Sequence, residues 1–363
     1  MSLVQRTIRI IEDRRENILQ GRINCIPSPF KSFRYDFPGI EQGCYYLISG
    51  AAKASKSKIT NYLFLFNPIL YAYEHPELVK LKIFYALLEE KAETITMKFM
   101  CYLLYRLYKI RVDIKTLKSV DEDRVVDEDI LKLITSIEFQ SILNFFEDHV
   151  EFIPDRNPTG IFNTLERYAE AHGTIHRKKV EGYDHEVFDY YTPDNPEEYV
   201  MCITDHIGLI STERGWDLRV SIKKLSEYFK IVRNKYNYIP VVVQQQNSET
   251  LSLEAFKANK IMPTQKGLLD CQDTSRDADL FLGIVNPFSF EFPEYLKYDI
   301  TRLRGYARFL KVVQGRDGES DAVLAMYFDG ATGNYVPLPK HDDITNLSKV
   351  YELVRKNQEG LSK

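Results

Sequence analysis

The 363-residue chain has only five cysteines, Cys25, Cys44, Cys101, Cys202 and Cys271, with no Cys-x-x-Cys pair and no nearby histidine grouping. This spacing excludes a zinc site of the ribbon type and a disulfide framework, and it reads as buried free thiols. Long apolar runs are also missing: nothing approaches the roughly 20 continuous apolar residues that a membrane-crossing helix needs. The N-terminus, MSLVQRTIRIIEDRRENILQ, lacks the basic-then-apolar order of a secretory signal. The expectation is therefore a soluble, cytoplasmic protein without a membrane partner. An excess of either charge is absent as well, since 48 Lys and Arg face 52 Asp and Glu for a net −4. That balance excludes a globally basic nucleic-acid coat but leaves a local basic channel open. Internal repeats and low-complexity linkers are lacking too, which favours one domain with an N-terminal arm over a solenoid or two domains.

What is present is ordinary globular composition, 44% hydrophobic and 28% charged, in a chain long enough to bury a sizeable core. Val4, Ile8, Ile11 and Ile18 recur at helical spacing and Gly21 follows as a stop, so residues 4–19 are expected as an amphipathic helix. Buried strands are expected at Tyr45 to Ser49, Ile83 to Leu88, Val150 to Ile153, Tyr199 to Thr204, Ile239 to Val243 and Leu280 to Val285. Segments of helical period, such as TMKFMCYLLYRLY and VSIKKLSEYFKIVRNKY, separate most of them. Strands alternating with helices imply an α/β fold with a mainly parallel sheet covered on both faces. FLKVVQGRDGESDAVLAMYFDGATGNYVPL, with its Asp-Gly turns, reads as an antiparallel extension, followed by a helix over Ile344 to Val354. Residues 109–148, charged and of helical character, and residues 176–198, rich in aromatics, acids and turn formers, read as excursions from the sheet.

Between the first strand and a helix stands GAAKASKS, Gly50 to Ser57. A phosphate-binding loop needs small residues so that backbone N–H groups converge on the phosphates, then a Lys for the β/γ oxygens and a Ser or Thr for Mg²⁺. Gly50, Lys56 and Ser57 have that spacing; Ser55 departs from it, because the position before the Lys commonly takes a backbone conformation that glycine reaches most easily. The competing reading is a lysine-rich turn. In YVMCITDHIGLI a buried strand delivers Asp205 to the edge where open α/β sheets bind ligands, where it either holds Mg²⁺ through water or caps the strand end. In IFYALLEEKAETITMKF the strand delivers Glu89, a candidate to polarise an attacking water. A helix N-terminal acid is the alternative, and it accounts for Glu90 and Glu93 equally well.

The order of these elements resembles the motor domain of the DnaB-type replicative DNA helicases, RecA-like ring motors, from about residue 25 to 338. GAAKASKS resembles their Walker A, FYALLEEKAETITMK their segment with the catalytic Glu, CITDHIGLI their Walker B, IPVVVQQQN their sensor, and DTSRDADLFLGIV and VVQGRDGESDAVLAMYF their later conserved segments. The resemblance implies a RecA-like core that uses ATP and Mg²⁺. It implies a nucleotide site over Gly50, Ala51, Ala52, Lys53, Ala54, Ser55, Lys56, Ser57 and Lys58. Lys56 would lie on the β/γ-phosphates, Ser57 and Asp205 around Mg²⁺, Glu89 would be the catalytic carboxylate and Gln246 the sensor coupling nucleotide to DNA. Arg316 would be the finger reaching a neighbouring subunit's γ-phosphate, and a finger acting in trans demands a homo-oligomer, a hexamer by resemblance. Two departures stand out: Gln314 where the family has Lys, and Leu269-Asp270-Cys271-Gln272 where the family carries a DNA-touching Arg-Glu-Ser-Gly.

By the same resemblance, single-stranded DNA would be gripped by the loops after Asp205 and Gln246, which offer Arg214, Arg219, Lys257, Lys260 and Lys266. Solvated loop charge is the plainer account of each, as a packing anchor is of Trp216. The expected division is a linker helix (1–24), a motor (25–340) and a C-terminal tail (341–363). The motor would lack the collar of bacterial members, as in a phage or mobile-element protein working in a host cytoplasm, with primase or other replication proteins as partners. The expected activity is that of an ATP-driven ring helicase on single-stranded DNA. The alternatives are a RecA-like recombinase or loader without unwinding, and a degenerate, non-hydrolysing nucleotide-binding scaffold.

Overall fold

A computed structural model describes residues 2–180, 182, 184–247, 261–315 and 322–359. Its centre is a nine-stranded sheet. In chain order the strands are β1 (Tyr46–Gly50), β2 (Lys80–Leu87), β3 (Val150–Ile153), β4 (Glu198–Asp205), β5 (Ile239–Gln245), β6 (Leu280–Val285), β7 (Ala307–Gly315), β8 (Val323–Asp329) and β9 (Asn334–Pro337). Across the sheet they run β9-β8-β7-β6-β1-β5-β4-β2-β3. Every pairing from β6 to β3 is parallel, whereas β6 to β9 pair antiparallel. The sheet is thus a mainly parallel, RecA-like core with an antiparallel C-terminal extension, as the sequence pattern requires. Strand β1 begins one residue later than expected.

The parallel strands are continuous apolar runs because helices cover both of their faces. The helices are α1 (Leu3–Leu19), α2 (Lys56–Thr60), α3 (Ala92–Tyr108), α4 (Ile137–His149), α5 (Pro158–Ala171), α6 (Leu218–Tyr236) and α7 (Ile344–Glu359). Helix α2 runs through a π-helical turn, Asn61–Phe66, into a further helix, Asn67–Glu74. On this face Phe64, Phe66, Phe99, Tyr102 and Phe146 pack with the strands. The opposite face is made by α5 and α6. Helix α6 starts where the Asp217 carboxylate accepts from the Val220 amide (2.7 Å) and ends at Asn237 in the left-handed region. Between these ends Ile222, Leu225, Phe229 and Val232 form the buried stripe that meets the sheet. A third cluster, around Ile300, Phe309 and Leu347, seats α7 against the extension.

The two expected excursions are structured. Residues 109–148 hold Ile114–Leu117, Glu128–Ile134 and α4. Much of 176–198 belongs to an antiparallel ribbon, Gly173–Lys178 with Val187–Pro193. Ile175, Phe188 and Tyr191 pack this ribbon on α6, the Tyr191 and Tyr236 rings 5.0 Å apart, so it is a flap on the body of the domain. Helix α1 is capped by a reciprocal Ser2–Gln5 box, yet Val4, Ile8, Ile11 and Ile18 are all at least 49% exposed. Polar contacts at its base hold it, Arg14 to Glu41 (2.8 Å) and Asn17 to Asn24 (3.0 Å). No helix among the described residues is long and apolar enough to cross a membrane.

Phe99 is fully buried, its ring 4.7 Å from that of Phe146 and 5.3 Å from that of Phe66. Phe99→Ala is expected to cost about 3–5 kcal/mol in urea unfolding, against less than about 0.5 kcal/mol for Ile137→Ala on the exposed rim.

Candidate functional site

At the carboxyl edge of the sheet β1, β2, β4 and β5 end side by side, with Gly50 opposite Gln245 and Leu87 opposite Asp205. β1 runs into the loop at Gly50, where a Cβ would stand 2.6 Å from the Ile284 carbonyl oxygen, so only glycine fits so close to β6. Lys53 and Ser55 both occupy the left-handed region, at φ 60° and 73°. Ser55 therefore takes the conformation that the loop demands of a glycine, at a cost of about 1–2 kcal/mol. Its hydroxyl is held by Arg308, whose Nε and Nη2 donate to Ser55 Oγ at 3.1 and 2.9 Å.

From the first turn of α2, Lys56 folds back to donate to the Ala51 carbonyl (3.1 Å). Burial lowers the Lys56 pKa, opposed by the negative charges of Asp205 and Glu89. The next side chain, Ser57, lies close enough to the Asp205 carboxylate to lower its pKa. Asp205 is 6% exposed, and burial raises its pKa to about 6 against the opposing help of Ser57 and Lys56. The Tyr85 hydroxyl lies 3.5 Å from Asp205 Oδ2 and 3.2 Å from Asn61 Oδ1. Asp205 Oδ1 is buried without a hydrogen-bond partner. So are Thr60 Oγ1, Thr204 Oγ1, His206 Nδ1 and Asn286 Oδ1, so most of the orphaned buried polar atoms among the described residues lie on the elements that build this edge.

Beyond β2, Leu88 is buried and Glu89 exposed, and the charge of Glu89 is felt at Lys56, Asp205 and His206. Glu90 instead grips Lys98 on α3. The two adjacent carboxylates differ: both raise the Asp205 pKa, but Glu90 is paired with Lys98, while of the two Glu89 alone acts on Lys56 and His206. Arg156 braces this strand tip by donating to the Leu88 carbonyl.

Gln246 is 3% exposed and reads both sides of the loop strand. Its Nε2 donates to Ser49 Oγ (2.9 Å) and to the Thr264 carbonyl (3.1 Å), its Oε1 accepts from the Thr264 amide (3.1 Å), and its own amide donates to the Gly50 carbonyl (2.9 Å). The chain can pass over it only because residue 267 is glycine, where a Cβ would lie 2.1 Å from Gln246 Oε1. Gln244, which sequence reasoning missed, makes a parallel lock: it donates to the Leu269 and Cys271 carbonyls and accepts from Thr274. Nothing in the local pattern signals this, because its partners lie some 25 to 30 residues away.

The structure thus brings Gly50 to Ser57, Asp205, Glu89 and Gln246 to one edge. The side chain of Lys58, expected among the nucleotide contacts, donates to the Gly330 carbonyl (2.8 Å) and lies over the Phe328 ring. Arg214, Arg219 and Lys266 are exposed. Arg214 and Lys266 lie on loops, whereas Arg219, expected on a loop, belongs to the first turn of α6, because Asp217 caps the helix just before it. The segments after β4 and β5 are neighbours, as a Cβ on Gly208 would come 3.3 Å from Asp270 Oδ2. Trp216 is half-buried, and the Glu213 carboxylate nearby ties this loop to α5 through the Thr159 amide (2.8 Å) and hydroxyl. Arg316, Lys257 and Lys260 lie outside the described residues. Gln314 accepts from the Gln265 side chain.

No protein-family model matches the chain, and no curated protein matches it either. Solved structures do. The isolated ATPase domain of a DnaB-like helicase superposes with a TM-score of 0.65 at 12% identity, covering 93% of this chain and 99% of that one. The fold is that of the DnaB-like helicase ATPase domain. A second, a DnaB-like replicative helicase studied for its interactions with primase, matches with a TM-score of 0.61 at 12% identity over 93% of this chain and 67% of the other. In this RecA-like frame the loop from Gly50 to Ser57 and the end of β4 occupy adjoining places on the carboxyl edge.

The raised pKa of Asp205 has a thermodynamic sign. An unfolded Asp loses its proton near pH 4, so between about pH 4 and 6 the unfolded chain ionises while the folded chain holds its proton. Stability falls over that window, and the deficit is complete above about pH 6. Asp205→Asn is therefore expected to raise the melting temperature of the ligand-free protein at pH 8, by an amount equivalent to on the order of 1–3 kcal/mol, and to change it little at pH 4. Differential scanning fluorimetry across pH checks this; equal shifts at both pH values would contradict it.

Proposed function

We propose that this chain is an ATP-hydrolysing motor of the DnaB helicase kind, working as a ring on single-stranded DNA. The observation that carries the reading is the convergence of Lys56, Ser57, Asp205 and Glu89 on one strand edge, behind a loop whose backbone is set for phosphate. Main-chain amides of the loop and of the first turn of α2, apart from that of Ala54, which donates to the Ala51 carbonyl (3.2 Å), suit a polyphosphate. Lys56, held near the loop by its bond to Ala51, neutralises charge on the terminal phosphates. Mg²⁺, when bound, would be held by Ser57 and Asp205 and would offset phosphate charge. The hard oxygens of Ser57 and Asp205 fit it, and the unpartnered Asp205 Oδ1 is what a cation or its water would satisfy. Glu89, free of the ion pair that engages Glu90, is the base that orients the attacking water. Gln246 links the loop strand to the segment from Thr264 onward, a route by which nucleotide state reaches a DNA-holding loop. The DNA contacts of this reading are Arg214, Arg219, Lys257, Lys260 and Lys266, with Arg316 serving a neighbour's nucleotide.

The exposed apolar stripe of α1 supports assembly: Val4, Ile8, Ile11 and Ile18 have no cover on their own chain, and a second copy's motor surface is their natural seat. The division into linker (1–24), motor (25–340) and tail (341–363) follows from this role, as do a cytoplasmic location and replication partners such as a primase. Ser55 does not mark decay, because it adopts the backbone geometry that an active loop needs.

ATP turnover by the purified chain, measured with and without single-stranded DNA, tests the reading. Wild type should be stimulated by DNA, and Glu89→Gln and Lys56→Ala should each lose at least about a hundredfold in kcat. Turnover that survives Glu89→Gln would remove Glu89 from the mechanism, and none in any variant would leave a nucleotide-binding scaffold. Changing both Ile8 and Ile11 to Glu should shift the species seen by light scattering to the monomer without lowering the melting temperature by more than about 2 °C.

A further inference from the structure

Arg308 differs from every other well-buried arginine among the described residues. Arg233, 7% exposed, meets Asp279 at 2.8 Å. Arg111, partly buried, holds Asp329 with two bonds at 2.8 and 3.0 Å. Arg308, 5% exposed on β7, has no carboxylate within ion-pair distance among the described residues. Its Nε and Nη2 donate to Ser55 Oγ, and its Nη1 donates to the carbonyls of Gly305 (2.9 Å) and Ala307 (2.7 Å). All of these acceptors are neutral, and the second Nη2 hydrogen is left over from that set. The guanidinium carbon lies 4.8 Å from the Phe328 ring centre, and the Tyr335 hydroxyl contacts the Ser55 carbonyl from the same side (3.4 Å).

An uncompensated buried cation is destabilising, and nothing in the β7–β8 packing requires one: Met or Leu would fill the space over Phe328. The charge is placed under the single loop residue that departs from the phosphate-loop pattern, and it bonds the very hydroxyl that makes the departure.

We propose that Arg308 is a positioning residue for nucleotide phosphate. It acts through Ser55, holding the loop in its left-handed turn and setting a fixed positive charge beneath it that the phosphates of a bound nucleotide neutralise. This rests on the nucleotide-binding reading above. It assigns to Ser55 and Arg308 together what a glycine and main-chain amides do in the usual loop, with the added consequence that affinity is tuned to phosphate charge. The ligand class is a nucleoside di- or triphosphate.

The test uses the full-length chain with Mg²⁺, measuring affinity for ATP, ADP and adenosine by calorimetry and the melting temperature of the ligand-free protein. Arg308→Met is expected to bind ATP on the order of ten- to a hundredfold more weakly, ADP less so, and adenosine unchanged. Its ligand-free melting temperature should equal or exceed that of wild type. Arg308→Lys, which keeps the charge but not the fork, should recover part of the loss. A purely structural Arg308 would give the opposite pair: a lower melting temperature and an affinity loss independent of phosphate number. Either that pattern or ATP affinity within twofold of wild type would overturn the proposal. If wild type binds ATP no better than adenosine, the nucleotide reading itself fails, and the proposal falls with it.

Discussion

Parallel register is the constraint on which the site depends. Because β2 and β4 pair with Leu87 opposite Asp205, and β1 and β5 with Gly50 opposite Gln245, strands that leave the sheet from one edge must release their next residues into one small volume. Antiparallel pairing would send alternate strand ends to opposite sides. The apolar runs that lock this register are thus as much a part of the chemistry as the polar residues they deliver. Helices on both faces let those runs be apolar throughout, and the crossover lengths set how far apart in sequence the site residues fall.

Two buried charges of opposite sign are kept near the loop at a cost to the empty protein: among the described residues, Asp205 has no cation in ion-pair contact and Arg308 no anion. They do not relieve one another. Each lies beside a hydroxyl of the loop region, Asp205 beside Ser57, which lowers its pKa, and Arg308 hydrogen-bonded to Ser55, so the loop lies between a negative and a positive group. Such an arrangement is least stable when nothing is bound and gains most when a ligand of alternating charge, a phosphate chain with its cation, fills the gap.

The fold class and the strand ends were legible in the sequence because they depend on local features: apolar runs of strand length, with an acid where two of them stop, Glu89 and Asp205. Glu89 was singled out over Glu90 by its place at the strand end, but that Glu90 pairs with Lys98 on the following helix was not legible from spacing. Ser55 was legible as a departure but not as an accommodation, because its hydroxyl's partner is 253 residues away. Lys58 was legible beside the phosphate loop by spacing, but the Gly330 carbonyl that its side chain meets is 272 residues away. The aromatic stretch near 190 read as an excursion because ribbon pairing and the packing of Tyr191 on α6 are both tertiary. In each case short-range chemistry was readable and the long-range partner was not.

The π-helical turn after α2 has an effect on phase. There the Asn67 amide reaches back to the Tyr62 carbonyl, five residues rather than four, so the helix carries one residue more than a regular spiral of the same length. That extra residue shifts the phase of all that follows it. Lys56 and Ser57, ahead of the turn, stay at the loop, while Tyr62 and Phe66, inside it, turn their rings onto Phe99 and Tyr102, and Asn67, just past it, accepts from the Tyr102 hydroxyl. One short helix thereby serves a polar edge with its first turn and an aromatic core with the next.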